Sequence, residues 1–117
     1  MFSKFKQQVF YVQVTQNSIS FRNPKTKNSL TLSKNFSTKS HLVGEFSIAE
    51  SLCIEGFKAL SSSFIAPLVI MHPLKIEGER LSQIEEQLFK ELALSAGARD
   101  VKFWLGEILT DEELLDT

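Results

Sequence analysis

Few residues in this chain have the type and spacing that catalysis or metal binding requires. His41 and His72 lie far apart, and with the lone Cys53 they do not form a zinc-ligand spacing. Residues 1–44 contain no Asp or Glu, so the first strands lack the carboxylates of a two-metal nuclease site. No glycine-rich phosphate loop is present. The sequence therefore predicts a non-enzymatic protein with no metal and no cofactor, in which both histidines and Cys53 are structural.

Charge is distributed unevenly along the chain. Residues 1–44 carry seven basic residues and no acid, whereas residues 45–117 hold all 14 acids against six basic residues. Such polarity concerns partners rather than fold, and a solvated surface is the simpler interpretation. The candidate interaction residues are a basic set in the predicted hairpins and an acidic set near the C-terminus: Arg22, Lys25, Lys27, Asp111, Glu112 and Glu113.

Length and composition indicate one domain over residues 1–117. Hydrophobic residues make up 43% of the chain, including ten Phe, which is enough for a core. A single cysteine cannot form an internal disulfide, which favours a reducing compartment. No apolar run reaches the length of a membrane span, and no signal peptide is visible. The cytoplasm is the expected location.

Alternating apolar residues predict an antiparallel meander at the start of the chain. Phe10–Thr15 alternates in the strand manner, and Gln16-Asn17 fits a tight turn. Ile19–Phe21 continues as a second strand, and Leu30–Leu32 follows a run of turn formers as a third.

A helix and a buried strand come next. Ser47, with Glu50 three residues later, matches a capping box that would begin the helix. Ser61-Ser62-Ser63 would end it. The continuous apolar run Leu68–Met71 is typical of a strand buried on both faces.

The remaining elements are a helix, a strand and a short helix. The second helix is predicted over about Glu79 to Ala96, and Gly97 would take the positive φ of its C-terminal cap. Thr110 and Glu113 match a capping box that begins a terminal helix. The apolar stripe of the second helix would be Leu81, Ile84, Leu88 and Leu92, and the last strand would contain Val101, Phe103 and Leu105. The order βββ-α-β-α-β-α predicts an α/β (α+β) domain whose five-stranded mixed sheet has flanking helices.

Three segments carry a resemblance to a known family: Val43–Ser47, Leu68–Pro73 and, above all, Leu92–Val101. They resemble the MreB-type bacterial actins of the actin/Hsp70 superfamily. The resemblance implies a single subdomain IA with ribonuclease-H-like topology. It also implies that subdomain IB is reduced to the loop Asn35–Gly44, and that the second half of an actin is absent.

The same resemblance argues against nucleotide binding. In the family, the first hairpin carries an Asp-x-Gly-Thr turn, whose Asp serves the metal and whose Gly admits the phosphate. Here Gln13 stands in place of the Asp and Thr15 in place of the Gly. Glu85 falls where the family has its water-activating Glu, but with Ser82 it also matches a capping box.

The N-terminus is similar to the amphipathic membrane-binding segment with which family members often begin. Its candidate residues are Phe2, Lys4, Phe5 and Lys6, which make a weak anchor on their own. The simpler interpretation is a flexible basic terminus over residues 1–8.

The function expected from this resemblance is a non-catalytic, actin-like interaction module. It would act through a protein partner or weak self-association in bacterial cell-shape or envelope assembly, without nucleotide and with peripheral membrane contact. The alternative is a nucleic-acid-binding module that uses the basic hairpins, although the acidic second half and the lack of stacking aromatics near Lys25 argue against it. A cryptic phosphohydrolase that uses Glu85 is the third interpretation, and the absent first-strand Asp argues against it.

Overall fold

The computed structural model describes residues 7–74 and 80–116, which form a five-stranded mixed sheet and three helices. In chain order the elements are β1 (Val9–Thr15), β2 (Ser18–Asn23), β3 (Asn28–Ser33), α1 (Phe46–Leu60), β4 (Leu68–Pro73), α2 (Gln83–Ser95), β5 (Asp100–Phe103) and α3 (Asp111–Leu115). The sheet order is β3-β2-β1-β4-β5. β1, β2 and β3 pair antiparallel, whereas β4 pairs parallel with both β1 and β5. The predicted element order and mixed sheet are confirmed.

The central strand β1 supplies side chains to two cores, one on each face of the sheet. Phe10, Val12 and Val14 join the larger core, to which α1 and α2 contribute. Val9 and Tyr11 join a smaller core, which Leu114 of α3 completes. The alternation follows from the pleat, because successive side chains of a strand point to opposite faces. Strand β4 is buried along its whole length, as its continuous apolar run predicts.

Aromatic rings fill the larger core beneath α1. Phe57 contacts Phe10 and Phe21 edge to face, with ring centroids 5.4 and 6.0 Å apart. Gly56 allows this approach, because a Cβ there would lie 2.6 Å from the Phe21 ring. Cys53 is fully buried on the same helix. Burial, with a smaller effect of Glu50, raises the pKa of the Cys53 thiol to about 12, which agrees with its predicted structural role.

The capping box predicted at Ser47 and Glu50 is wrong. Helix α1 begins at Phe46, its N-cap is Glu45, and no side chain caps it. The backbone has already turned before Ser47, because the carbonyl oxygen of Phe36 accepts hydrogen bonds from the N–H groups of both Gly44 and Glu45. Tertiary anchoring by buried Phe36 therefore sets the start of the helix.

Helix α2 begins later than predicted, at Gln83 rather than near Glu79. The Ser82–Glu85 capping box fixes this start, so the interpretation of Glu85 as a cap is confirmed. The predicted apolar stripe is also wrong at Ile84, which is 80% exposed, whereas Phe89, Leu92 and Ala93 are buried. Ile84 lies in the first turn of α2, where it lines a groove beside the 40–43 segment and is left uncovered.

The predicted C-terminal cap of α2 and the predicted N-terminal cap of α3 are confirmed. Gly97 has a φ of +118°, and the N–H of Ala98 donates to the carbonyl of Ala93 in the pattern of a Schellman cap. Thr110 and Glu113 form the predicted capping box of α3. Leu105, in contrast, lies outside β5, which ends at Phe103, and Leu105 is largely exposed.

Within the described residues, no helix combines the length and apolar character needed to cross a membrane.

Candidate functional site

The β1–β2 turn is the place where the resemblance puts the phosphates of a nucleotide. Asn17, at the tip of this turn, has a φ of 56° and is bound to the segment that follows β3. Its backbone N–H donates to Ser37 Oγ at 2.8 Å. Its side-chain Oδ1 accepts from the N–H groups of Phe36 at 3.0 Å and Ser37 at 2.8 Å. The tip amide that could face an anion is therefore already used inside the protein.

Gln13 and Thr15 on β1, which the resemblance aligns with nucleotide-binding residues, also do not fit a nucleotide. Gln13 is half-buried beside Ser20 and His72, and its neutral amide supplies no charge to a metal shell. The Thr15 hydroxyl donates to the carbonyl of Ser18 at 3.3 Å, and its Cβ obstructs the close approach of a phosphate to the backbone. Neither side chain is therefore suited to bind a nucleotide at this turn.

Glu85 lies at the edge of a groove between the 40–43 segment and the first turns of α2. Its carboxylate accepts from the Ser82 N–H at 3.0 Å, and its own N–H donates to Ser82 Oγ at 3.1 Å. These bonds hold the carboxylate on its own helix end. The described residues also contain no group of His, Cys, Asp and Glu side chains that could hold a metal ion.

Three of the predicted interaction residues bind one another within the chain. Arg22 donates to Asp111 through two parallel hydrogen bonds, Nε to Oδ1 at 2.6 Å and Nη2 to Oδ2 at 2.7 Å. Lys27 Nζ lies 3.7 Å from Asp111 Oδ2. The Arg22 guanidinium lowers the pKa of the Asp111 carboxyl, and the same hydrogen bonds raise the pKa of Arg22. The basic hairpin and the acidic helix therefore meet in this ion pair.

The other predicted interaction residues are not part of this cluster. Lys25 and Glu112 are exposed, with no charged partner among the residues that the structure describes. Glu113 accepts the Thr110 N–H at 2.9 Å in the α3 capping box. The weak membrane candidates Phe2, Lys4, Phe5 and Lys6 lie outside the described residues.

A buried polar pair connects β1, β4 and the segment after β5. Tyr11 Oη lies 2.6 Å from His72 Nδ1, and these side chains are only 2% and 1% exposed. The N–H of Leu109 donates to Tyr11 Oη at 3.1 Å, and the backbone of Gly106 interacts with the His72 ring. We call residues 104–116 the C-terminal strap, because these contacts hold them across the smaller core.

Burial of this pair favours a neutral histidine. Tyr11 Oη accepts from Leu109, so its own proton is available to His72 Nδ1. A hydrogen bond to the backbone of Gly106 opposes the shift, but burial is the larger effect and lowers the pKa of His72. Burial likewise raises the pKa of Tyr11. The structural role that the sequence predicts for His72 is confirmed, and its task is to anchor the C-terminal strap.

The opposite end of the sheet carries an exposed aromatic residue on a tightly held loop. Gln8 Nε2 donates to the carbonyls of Ser63 and Ile65, and Gln8 Oε1 accepts from the Ser62 N–H at 2.8 Å. Phe64, within this loop, is fully exposed. The chain is therefore anchored from Gln8 onward, and residues 1–6 of the predicted flexible terminus lie outside the described residues.

Sequence reasoning missed the Tyr11–His72 pair, the Gln8 anchor and Phe64. One signal for the first was present, since Tyr11 alternates with Phe10 and must face away from the main core. Tyr11 and His72 are 61 positions apart in the sequence, so no local pattern predicts their contact. The opposite charges of Arg22 and Asp111 were visible, but their proximity depends on how α3 folds back.

Comparisons of the chain with protein-family models, curated proteins and solved structures found no match.

Proposed function

We propose that this chain is a non-catalytic, actin-like interaction module of the MreB-related kind, which acts through protein contacts in bacterial cell-shape or envelope assembly. Three antiparallel strands followed by two parallel strands reached through helices support the proposal, because the resemblance implies that topology. The proposed location is the cytoplasm, with peripheral membrane contact.

The single observation that carries the non-catalytic part is the closed β1–β2 turn. The backbone N–H of Asn17 already donates to Ser37 Oγ. Gln13 lacks the negative charge of the family's Asp, and Thr15 lacks the open space that the family's Gly leaves for a phosphate. A phosphate group would have to displace Ser37 and approach past the Thr15 Cβ.

Titration with Mg-ATP, followed through backbone amide chemical shifts, tests this part of the proposal. We expect no saturable shift around Gln13–Asn17 at physiological ATP concentration. Saturable shifts of these amides at micromolar to low-millimolar ATP would show that the turn opens and would overturn the proposal.

A pull-down from the native host tests the interaction part. Recovery of a cell-shape or envelope-assembly protein supports the proposed function, and direct binding of that protein to the purified chain is the necessary second step. Recovery of nucleic acid instead would support the alternative use of the basic hairpins.

A second candidate function, contact with a membrane surface, is favoured by Phe64. A fully exposed Phe on a loop fixed by Gln8 can enter an interface without first becoming ordered. Gln7 is bonded to Arg99 at this same end of the sheet, and the amphipathic residues 1–6 precede Gln7 in the sequence. A single anchor binds marginally, so stable binding would need Phe64 together with a second signal such as the amphipathic residues 1–6.

Sedimentation with anionic phosphatidylglycerol vesicles tests this candidate. We expect Phe64→Ser to weaken binding roughly tenfold or more, since burying a Phe side chain contributes about 1.5–3 kcal/mol. Ile84→Ser is the matched control, because Ile84 is also exposed but lies on α2. Equal binding of all three proteins, or none by the unaltered chain, would remove the membrane function.

A further inference from the structure

Strand β3 forms an open edge of the sheet. Its partner within the chain is β2, and no described strand pairs with its outer side. Four of its six residues are exposed and two are half-buried. An edge of this kind presents unpaired N–H and C=O groups that can pair with another strand. β3 itself contains no proline and no charged residue, although these are common protections of an edge.

The register with β2 identifies the backbone groups that point outward. The N–H of Lys34 donates to the carbonyl of Asn17, so these two residues are a hydrogen-bonded pair. Hydrogen-bonded pairs recur at every second residue of an antiparallel ladder, which directs the backbone groups of Leu30 and Leu32 toward β2. The N–H and C=O groups of Ser29, Thr31 and Ser33 therefore face solvent at the open edge.

The residues of this edge form a palindrome. The sequence Ser29-Leu30-Thr31-Leu32-Ser33 reads the same in both directions. When two copies pair antiparallel about Thr31, each serine faces a serine and each leucine faces a leucine. Thr31 faces itself at the two-fold axis. All three outward-facing residues then lie in hydrogen-bonded pairs, so the palindrome and the backbone pattern have the same centre.

We propose that β3 pairs antiparallel with β3 of a second copy, centred on Thr31, and joins two five-stranded sheets into one continuous ten-stranded sheet. The contact is isologous and closes as a dimer with two-fold symmetry. The partner of the interaction module is then a second copy of this chain. The inference rests on the proposed function only in that the chain acts through protein contacts.

Other registers satisfy the edge less well. A shift by one residue opposes an outward-facing amide to an inward-facing one, which breaks the ladder. A shift by two residues sets Lys34 against Leu30 in one direction and Lys27 against Ser33 in the other. The symmetric register keeps both lysines outside the matched residues. It also brings the half-buried Leu30 beside Leu32 of the second copy, so apolar surface is buried across the contact.

The dimer should respond to salt differently from a charge-driven contact. No opposite charges face each other within the palindrome, and Lys27 and Lys34 lie near its two ends. Screening by salt therefore removes only repulsion between lysines. The proposed dimer should persist or strengthen as salt rises, whereas self-association through contact between the basic set of one copy and the acidic set of another should weaken.

Cysteine cross-linking of the full chain tests the register directly. Residues opposite each other in a hydrogen-bonded pair have Cα atoms about 5.5 Å apart, which suits a disulfide. Thr31→Cys should therefore form a covalent dimer under mild oxidation. Ser29→Cys is the matched control on the same edge, because its counterpart in the second copy lies about 13 Å away along the strand. Cross-linking of both variants to the same extent, or of neither, would overturn the register.

Sedimentation of variants at Thr31 tests the dimer without a covalent bond. Thr31→Pro removes an N–H that the β2–β3 ladder does not use, and proline is tolerated on an edge strand in that position. We expect this variant and Thr31→Lys to dimerise at least tenfold more weakly than the unaltered chain, with unchanged circular dichroism. Thr31→Ser should dimerise as before.

Three outcomes of the sedimentation experiment would contradict the proposal. They are a strictly monomeric unaltered chain, a dimer unaffected by Thr31→Lys, and a dimer that dissociates as salt rises. A monomer that still bound a cell-shape protein would remove β3 pairing and leave the proposed function in place.

Discussion

The Tyr11–His72 pair allows a sharp prediction about stability. Tyr11→Phe removes one oxygen atom and leaves the ring in place, so the smaller core keeps its packing. Two groups lose their partner, namely the buried Nδ1 of His72 and the partly buried N–H of Leu109. Because Tyr11 and His72 are almost fully buried, water cannot readily replace the hydroxyl.

The expected cost follows from these two unsatisfied groups. A buried donor or acceptor left without a partner costs about 1–3 kcal/mol, and two groups on one oxygen are not fully additive. We therefore expect Tyr11→Phe to lower the free energy of unfolding by about 2–4 kcal/mol. The unfolding entropy of a domain of 117 residues is about 0.25 kcal/mol/K, so the midpoint of thermal unfolding should fall by roughly 10 °C.

Urea and thermal unfolding, followed by circular dichroism at neutral pH, measure this difference. Ser20→Ala is the matched control, because it also removes one hydroxyl hydrogen bond, the 3.0 Å contact with Thr31, but at an exposed site. The control should change stability by about 0.5 kcal/mol or less. If Tyr11→Phe costs no more than Ser20→Ala, the pair does not anchor the C-terminal strap.

Three further predictions concern pH, packing and charge. Since burial lowers the pKa of His72 below its unfolded value near 6.5, stability should be complete above pH 6.5 and decline as the pH falls below it, by at most about 1.4 kcal/mol between pH 7.5 and 5.5. Urea unfolding at both pH values checks the decline, and a rise on acidification would contradict it. Gly56→Ala should cost about 1–3 kcal/mol in urea unfolding, because the new Cβ would lie 2.6 Å from the Phe21 ring, and a neutral effect would show that the ring can move. Any association that weakens with salt in sedimentation velocity should be reduced by Lys25→Glu combined with Lys27→Glu, and its persistence would exclude docking through these charges.

The strands were predictable from sequence because their apolar pattern is local. Phe10–Thr15 alternates and Leu68–Met71 is continuously apolar, and both segments form strands in the structure. The capping boxes of α2 and α3 were predictable for a similar reason, since each needs only two residues three positions apart.

The prediction failed where a distant residue decides the local structure. Ser47 and Glu50 have the right types for a cap, but the carbonyl of Phe36 had already fixed the entry into α1. Ile84 fits a helical period, but it lies in the first turn of α2, where it lines an open groove and stays exposed. The pairing of Arg22 with Asp111 joins residues 89 positions apart, which no periodicity reveals.

The burial of Cys53 makes this thiol a built-in reporter of native-state opening. A thiol with a pKa of about 12 that is closed off beneath α1 has almost no thiolate and no access to solvent. A thiol reagent can therefore react only after α1 lifts from the sheet. When reclosing is faster than labelling, the reaction rate gives the free energy of that opening. The single native cysteine thus reports how firmly one helix is held on the sheet, without any introduced probe.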